Sequence, residues 1–273
     1  MIYEKAYAKI NLALEVKEKV NNFHNVNNIM IPINLYDELF FEKSNTTYID
    51  CEVDIENNIC LKAVDLFFEK YNIVQGVHII LNKNIPIMAG LAGGSTDAAA
   101  VLRGLNRLFE INATTSELEE LASQLGSDVT FFLHNKISLC TGRGEIINPL
   151  DIDFGGTSVL LIKPTFGLST KEIYQNYKWN GISKQKQIND LLDALKEKDI
   201  SKVDELIFND LENVALNINS ELKESFKKIE GLSYTPHVSG SGPTIFILDV
   251  KAIDVKNIEE ILPDYKLILC NTI

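Results

Sequence analysis

No apolar run in this chain of 273 residues approaches the ~20 that a membrane-spanning helix needs. A membrane partner is therefore not expected. Cysteine is scarce, with only Cys51, Cys60, Cys140 and Cys270. None forms a C-x-x-C pair, and no Cys/His group has zinc-ligand spacing. This excludes a zinc module and reads as buried, reduced thiols in a cytoplasmic protein. No secretory leader is expected, because the N-terminus runs straight into a strand pattern holding Lys5 and Lys9. Positive charge is also in short supply: 26 Lys and Arg face 38 Asp and Glu, for a net charge of −12. Such a surface argues against nucleic acid as a partner. Any phosphate-bearing ligand must then be held by local N–H groups and single lysines. With 45% hydrophobic residues, the length suits one large or two modest domains.

What is present centres on Pro86 to Ala100, P-I-M-A-G-L-A-G-G-S-T-D-A-A-A. A β-like run, Gly76 to Leu81, leads into it. A helical pattern follows, with Ala98, Val101, Leu102, Leu105 and Leu108 on one face. Gly90, Gly93 and Gly94 let the backbone bend and approach a ligand, and Ser95 is placed as the N-cap. A glycine loop ending at a helix N-terminus presents free N–H groups and the positive end of a dipole, which suits phosphate. The loop lacks the lysine of a Walker sequence and the G-x-G-x-x-G spacing of a dinucleotide fold.

Ala6 to Val16 alternates as a strand, which places Lys9 and Asn11 on one face. Leu39 to Glu42 reads as another strand. Asn58 to Tyr71 reads as a helix. Ser116 to Leu125 reads as a helix with a Ser116/Glu119 capping box, closed by Gly126. Asp151 to Gly156 is the best boundary. Beyond it come a strand (158–163), a helix opened by Ser169 and Glu172, helical segments over 188–229, strands at 233–238 and 244–250, a helix near 255–261 and a last strand at 266–270. That order is a split β-α-β arrangement. Lys178 to Gln187 is polar and reads as a surface loop. Phe23 and His24 stand among asparagines in what reads as a loop, where Phe23 is either a core anchor or a stacking platform. Asp128 precedes an apolar run, so it is either a cap or a buried-edge acid. Lys9 is either a solvated lysine on an edge strand or part of a substrate floor.

The pattern P-x-x-x-G-L-x-G-G-S-x-D-A-A from Pro86 resembles the ATP loop of the GHMP kinases (galactokinase, homoserine kinase, mevalonate kinase and relatives). Ala6 to Leu12 and Val238 to Thr244 resemble that superfamily's other two motifs. The resemblance implies an α+β fold of two domains with the active site between them. Residues 1–153 would be an α/β domain of the ribosomal protein S5 domain 2-like type. Residues 154–273 would be a ferredoxin-like domain whose last strand is able to rejoin the first. It also implies ATP and Mg²⁺ as cofactors and a small-molecule acceptor, in a monomer or homodimer.

Further segments resemble one family of that superfamily, the kinases of 4-diphosphocytidyl-2-C-methylerythritol in the non-mevalonate isoprenoid pathway. They are Phe23-His24, Leu35 to Glu38, Asn58 with Lys62-Ala63, Gly126 to Phe132, Cys140 to Glu145, Ser169-Thr170 with Tyr174, and Asn209 to Glu212. That resemblance makes Asp128 the group that takes the proton from the substrate's 2-hydroxyl. Lys9 becomes the ammonium beside it. Phe23, His24 and Tyr174 become the cytosine site, with Asn11, Gly240 and Ser241 around the acceptor. Asn58 and Lys83 fall near the adenine. Pro86, Gly90, Leu91, Ala92, Gly93, Gly94, Ser95 and Thr96 form the ATP loop. Ser95 and Thr96 are candidate metal contacts, and no acidic metal ligand identifies itself. The other readings are a homoserine- or mevalonate-type kinase and a non-catalytic nucleotide-binding homologue. The chain departs from the family pattern at Asn21-Asn22-Phe23 (usually Asp-Gly-Tyr), at Ala92 (glycine), at Thr130 (proline) and at His134 to Lys136 (a glycine turn).

Overall fold

A computed structural model describes residues 1–20, 23–53 and 58–273. The Asn21-Asn22 departure lies outside them. Two long strands dominate the first half, β1 (Ile2–Val20) and β2 (Phe23–Ser44), paired antiparallel along most of their length. They are followed by β3 (Tyr48–Cys51), α1 (Ile59–Tyr71), β4 (Gly76–Asn82), α2 (Gly93–Leu108), α3 (Thr115–Leu125), α4 (Phe131–His134), β5 (Ser138–Thr141) and β6 (Ile146–Pro149). The second half runs β7 (Ser158–Lys163), α5 (Thr170–Asn176), α6 (Gln185–Glu197), α7 (Ile200–Leu206), β8 (Phe208–Asn209), α8 (Glu212–Ile218), α9 (Ser220–Glu230), β9 (His237–Val238), β10 (Ile245–Leu248), α10 (Ala252–Ile261) and β11 (Lys266–Asn271).

The strands form two sheets. One has the order β3-β4-β2-β1-β8, with β5 on the first half of β2 and β6 on β5. The other is antiparallel, in the order β11-β7-β10-β9. β8 comes from the second half yet pairs with β1. β11 lies beside β7, and the residues after it reach β2 through an Ile33–Thr272 bridge.

Burial follows the expected faces. Ala98, Val101, Leu102 and Leu105 of α2 are fully buried against β1 and β2. Each large apolar side chain so buried stabilises the fold by about 1.5–3 kcal/mol. Ala63, Val64 and Phe67 of α1 join the same core. A second core draws Ile10, Leu12 and Ile31 together with Leu161, Leu191 and Phe246, so it spans both sheets.

Several boundaries differ from the sequence reading. The segment from Phe23 read as a loop is strand, because its asparagines find partners: Asn27 donates to Glu15 and Asn28 accepts from Asn11. The α3 capping box is Thr114 with Glu117, two residues before the expected pair. Ser169 caps α5 by accepting from the Glu172 N–H, without the reciprocal bond. Residues 185–187, read as loop, open α6.

Candidate active site

The glycine loop is built by a left-handed entry into α2. Ala92 has φ +57° and ψ 34° and stands at the N-cap, so the helix begins at Gly93 and Ser95 sits in its first turn rather than capping it. The first intrahelical bond of this turn is Thr96 N–H to Ala92 O. Among the described residues the N–H groups of Gly93, Gly94 and Ser95 therefore have no partner at the positive end of the helix. An alanine held left-handed costs about 1–2 kcal/mol relative to glycine. Thr130 occupies a helical φ of −61° that proline also takes, and Asn135 supplies the left-handed φ of +48° of a glycine turn.

Gly90 (φ +73°) lies where a Cβ would meet Ser239 O at 2.3 Å. Only glycine fits there, and the loop thereby touches the turn between β9 and β10. Gly240 (φ +59°) makes the reciprocal approach, its Cβ position lying 3.2 Å from Lys9 Nζ. Asn209 holds this turn by donating to Val238 O and Gly240 O at 2.8 and 2.7 Å.

A cavity of about 860 Å³ opens between these parts, towards the upper end of the range for ligand pockets. It is lined by Lys9, Asn11, Phe23, His24, Asn58, Lys83, Pro86, Gly90, Ala92, Gly93, Gly94, Ser95, Asp128, Tyr174, Gly240 and Ser241. Two residues expected at the nucleotide do not line it. The side chains of Leu91, in the loop before α2, and Thr96, in the first turn of α2, are both buried in the protein. Leu91 contributes its backbone, whose carbonyl accepts from Lys9 N–H.

Lys9 is 3% exposed, which excludes a solvated lysine. Its Nζ donates to Asn11 Oδ1 at 2.6 Å and to Gly90 O at 3.0 Å. Burial lowers the Lys9 pKa, and the charge of Asp128 opposes that shift. Asp128 lies in the turn between α3 and α4, half-buried. Among the described residues no N–H caps onto its carboxylate and no cation pairs with it, so the capping reading fails. The Cβ position of Gly144 is 3.9 Å from Asp128 Oδ1.

Lys83 bridges two buried carboxylates, Asp37 Oδ2 and Asp97 Oδ2, each at 2.5 Å. Burial pushes the Asp97 carboxyl up to about 8, against the pull of Lys83. Asn58 is a helix cap and a wall residue at once: its Oδ1 accepts from Cys60 N–H at 2.9 Å.

At the other end Phe23 is 56% exposed and belongs to no core, so it is not an anchor. The Arg143 guanidinium lies 5.2 Å from its ring centroid. His24 Nδ1 bonds Lys17 O at 2.6 Å. A carbonyl only accepts, so Nδ1 carries a proton, and in the neutral ring Nε2 is then the acceptor. The Tyr174 ring is 5.9 Å from His24. It is partly buried, packing on the core of the second sheet while facing the cavity, and burial beside Asp128 raises its pKa.

Asn28, Asp97 and Arg143 also line the cavity and were not singled out by the sequence reading. Arg143 stood inside a quoted motif, whereas Asn28 carried no local signal.

Residues 58–136 match the model of the GHMP kinases N terminal domain, and residues 191–265 match that of the GHMP kinases C terminal domain. The 4-diphosphocytidyl-2-C-methyl-D-erythritol kinase of Clostridium perfringens is 41% identical over 252 residues, covering 89% of this chain and 86% of that one. The chain belongs to the GHMP kinases, in the 4-diphosphocytidyl-2-C-methyl-D-erythritol kinase family. The enzyme of that name from Macrococcus caseolyticus is 38% identical over 268 residues, 94% of each chain. A crystal structure of 4-(cytidine 5'-diphospho)-2C-methyl-D-erythritol kinase superposes with a TM-score of 0.83 at 27% identity, over 99% of both chains. A homoserine kinase from Cytophaga hutchinsonii gives a TM-score of 0.75 at 16% identity over 100% of this chain and 94% of that one, a likeness of fold. The protein is thus an ATP-dependent kinase of a small molecule with the expected α+β fold, and the homoserine-type reading is not favoured. Among the described residues no helix is long and apolar enough to cross a membrane.

Proposed function

We propose that this kinase transfers the γ-phosphoryl group of ATP to the 2-hydroxyl of 4-diphosphocytidyl-2-C-methyl-D-erythritol, with Asp128 and Lys9 at the reacting atoms. The observation that carries the reading is the pairing, in one cavity, of an unpartnered carboxylate with a buried ammonium beside a cradle of free N–H groups. Phosphoryl transfer needs mainly position and charge neutralisation. The Asp128 carboxylate accepts the proton as the substrate oxygen bonds to phosphorus and ADP leaves. Two of the three Lys9 N–H bonds are committed to Asn11 and Gly90, which leaves one to neutralise charge on the phosphoryl oxygens. The N–H groups of Gly93, Gly94 and Ser95 hold the phosphates of the nucleotide.

Among the described residues no cluster of three or more His, Cys, Asp or Glu forms a metal cage. The Ser95 hydroxyl, in the first turn of α2 on the cavity wall, is the side-chain oxygen that would hold Mg²⁺ alongside the phosphates. Thr96, turned into the core, is not a ligand. When bound, Mg²⁺ supplies neutralisation of the phosphate charge.

At the far end, a bare His24 Nε2 suits the 4-amino group of cytosine, and Phe23 and Tyr174 supply ring faces. The test is ADP release by the pure protein with and without the cytidine substrate. Substrate-dependent ADP formation with a phosphorylated product supports the assignment. Turnover of a different alcohol, with none of the cytidine compound, refutes it.

A further inference from the structure

Asn28 lies on β2 between two neighbours, opposite Leu14 of β1 and Cys140 of β5. It is 6% exposed and reaches the cavity wall. Its Oδ1 accepts from Asn11 Nδ2 at 2.8 Å, and Asn11 Oδ1 in turn accepts from Lys9 Nζ at 2.6 Å. The three side chains form a directed chain, Lys9 to Asn11 to Asn28. An ammonium only donates, so Asn11 must turn its oxygen to Lys9. Its NH₂ then needs an acceptor, and Asn28 is the one provided. Without that acceptor the Asn11 amide is free to rotate and to set its NH₂ against the Lys9 ammonium, donor to donor.

We propose that Asn28 is a positioning residue that fixes the orientation of the Asn11 amide and so holds Lys9 in place and in its charged form. This rests on the proposed role of Lys9 at the transferring phosphoryl group. The groups facing Lys9 are few. They are Asn11 on its own strand, the Gly90 carbonyl of the nucleotide loop, Asp128 from the turn after α3, and Cys140 of β5. Burial raises the Cys140 thiol far above its usual range, so it stays neutral and lends Lys9 no charge. Burial already lowers Lys9, and among the described residues Asp128 is the main group opposing that shift. Each neutral acceptor therefore counts in keeping the amine protonated.

The experiment compares wild-type enzyme with Asn28→Leu and Asn28→Asp. Lys9 is titrated directly by NMR of ¹³Cε-labelled lysine, its signal assigned by loss in Lys9→Met. In Asn28→Leu the Lys9 titration moves to lower pH, and the alkaline limb of kcat moves down with it. At neutral pH kcat falls by roughly 5- to 150-fold, the range set by an orphaned buried donor. Asn28→Asp keeps an acceptor and adds negative charge, so Lys9 titrates at higher pH and the limb moves up. If the leucine variant fails to fold, the aspartate variant decides alone. An unmoved Lys9 titration in the folded variants overturns the proposal, whatever happens to activity. If Lys9 moves as stated but wild-type enzyme does not turn over the cytidine substrate, the positioning role stands and the substrate assignment falls.

Discussion

Among the described residues two carboxylates line the cavity, and they are held in opposite ways. Asp97 is gripped by Lys83, while Asp128 receives no donor among the described residues. Replacing Asp128 by asparagine removes a proton acceptor without disturbing a hydrogen bond. Asp128→Asn is expected to keep its fold and its ATP affinity while kcat drops by roughly 10²–10⁴-fold, the contribution of a positioned general base. Steady-state rates beside nucleotide titrations check this, and an unchanged kcat would remove Asp128 from the chemistry. Asp97 bears on stability. Its carboxyl, pushed up to about 8 by burial, keeps a proton that the unfolded chain releases near pH 4. Between those values folding takes up a proton, so stability falls as pH rises. The urea midpoint of the ligand-free protein should therefore decrease from pH 5 to pH 8, and Asp97→Asn should lose that part of the slope. An identical slope in the variant would contradict the assignment.

At the level of elements, α5 carries Tyr174 from the second half of the chain to face His24 on β2. Stacking of a base on an aromatic ring is worth about 1–3 kcal/mol. Tyr174→Ala should raise KM for the cytidine substrate by roughly 5- to 150-fold and barely change KM for ATP. Equal losses for both substrates would mean that the ring serves only the core. The elements that were legible in the sequence had strong periodicity or clear punctuation, such as α1 with its Asn58 cap, α2, β4 and β7. Those that were not depended on distant partners. The first half of β2 reads as loop because asparagine is poor strand material, and it becomes strand because Glu15 and Asn11 meet its amides from β1. The two residues of β8 are too short for any pattern and exist as strand only beside β1. In α2 the left-handed turn at Ala92 started the helix ahead of the serine that looked like its cap. The same division holds in the site. The glycine loop stands out by its spacing, whereas Lys9 and Asp128 are ambiguous by residue type and are picked out only by the family resemblance. Asn28 is significant only through a hydrogen bond to a neighbouring strand.

For the molecule as a whole, we propose two units, 1–153 and 154–273, joined through one continuous core. Ile10, Leu12 and Ile31 pack in the same cluster as Leu161, Leu191 and Phe246. Glu15 and Asp210 add a polar seam, accepting from Lys184 N–H and Val16 N–H at 2.6 and 2.8 Å. Scanning calorimetry of the ligand-free protein should show a single cooperative transition, because neither unit keeps its apolar face covered alone. Two resolved transitions would show that the seam is only a contact. The turn that Gly90 touches has a different consequence, one of timing. The glycine loop is complete in covalent terms at Ser95, but its neighbour at Ser239 emerges from the ribosome 149 residues after Gly90. β1 likewise waits 194 residues for Asp210. A nascent or truncated chain that stops before this turn holds every residue of the phosphate cradle and lacks the wall against which it closes. Such fragments would be bystanders in the cell rather than futile consumers of ATP.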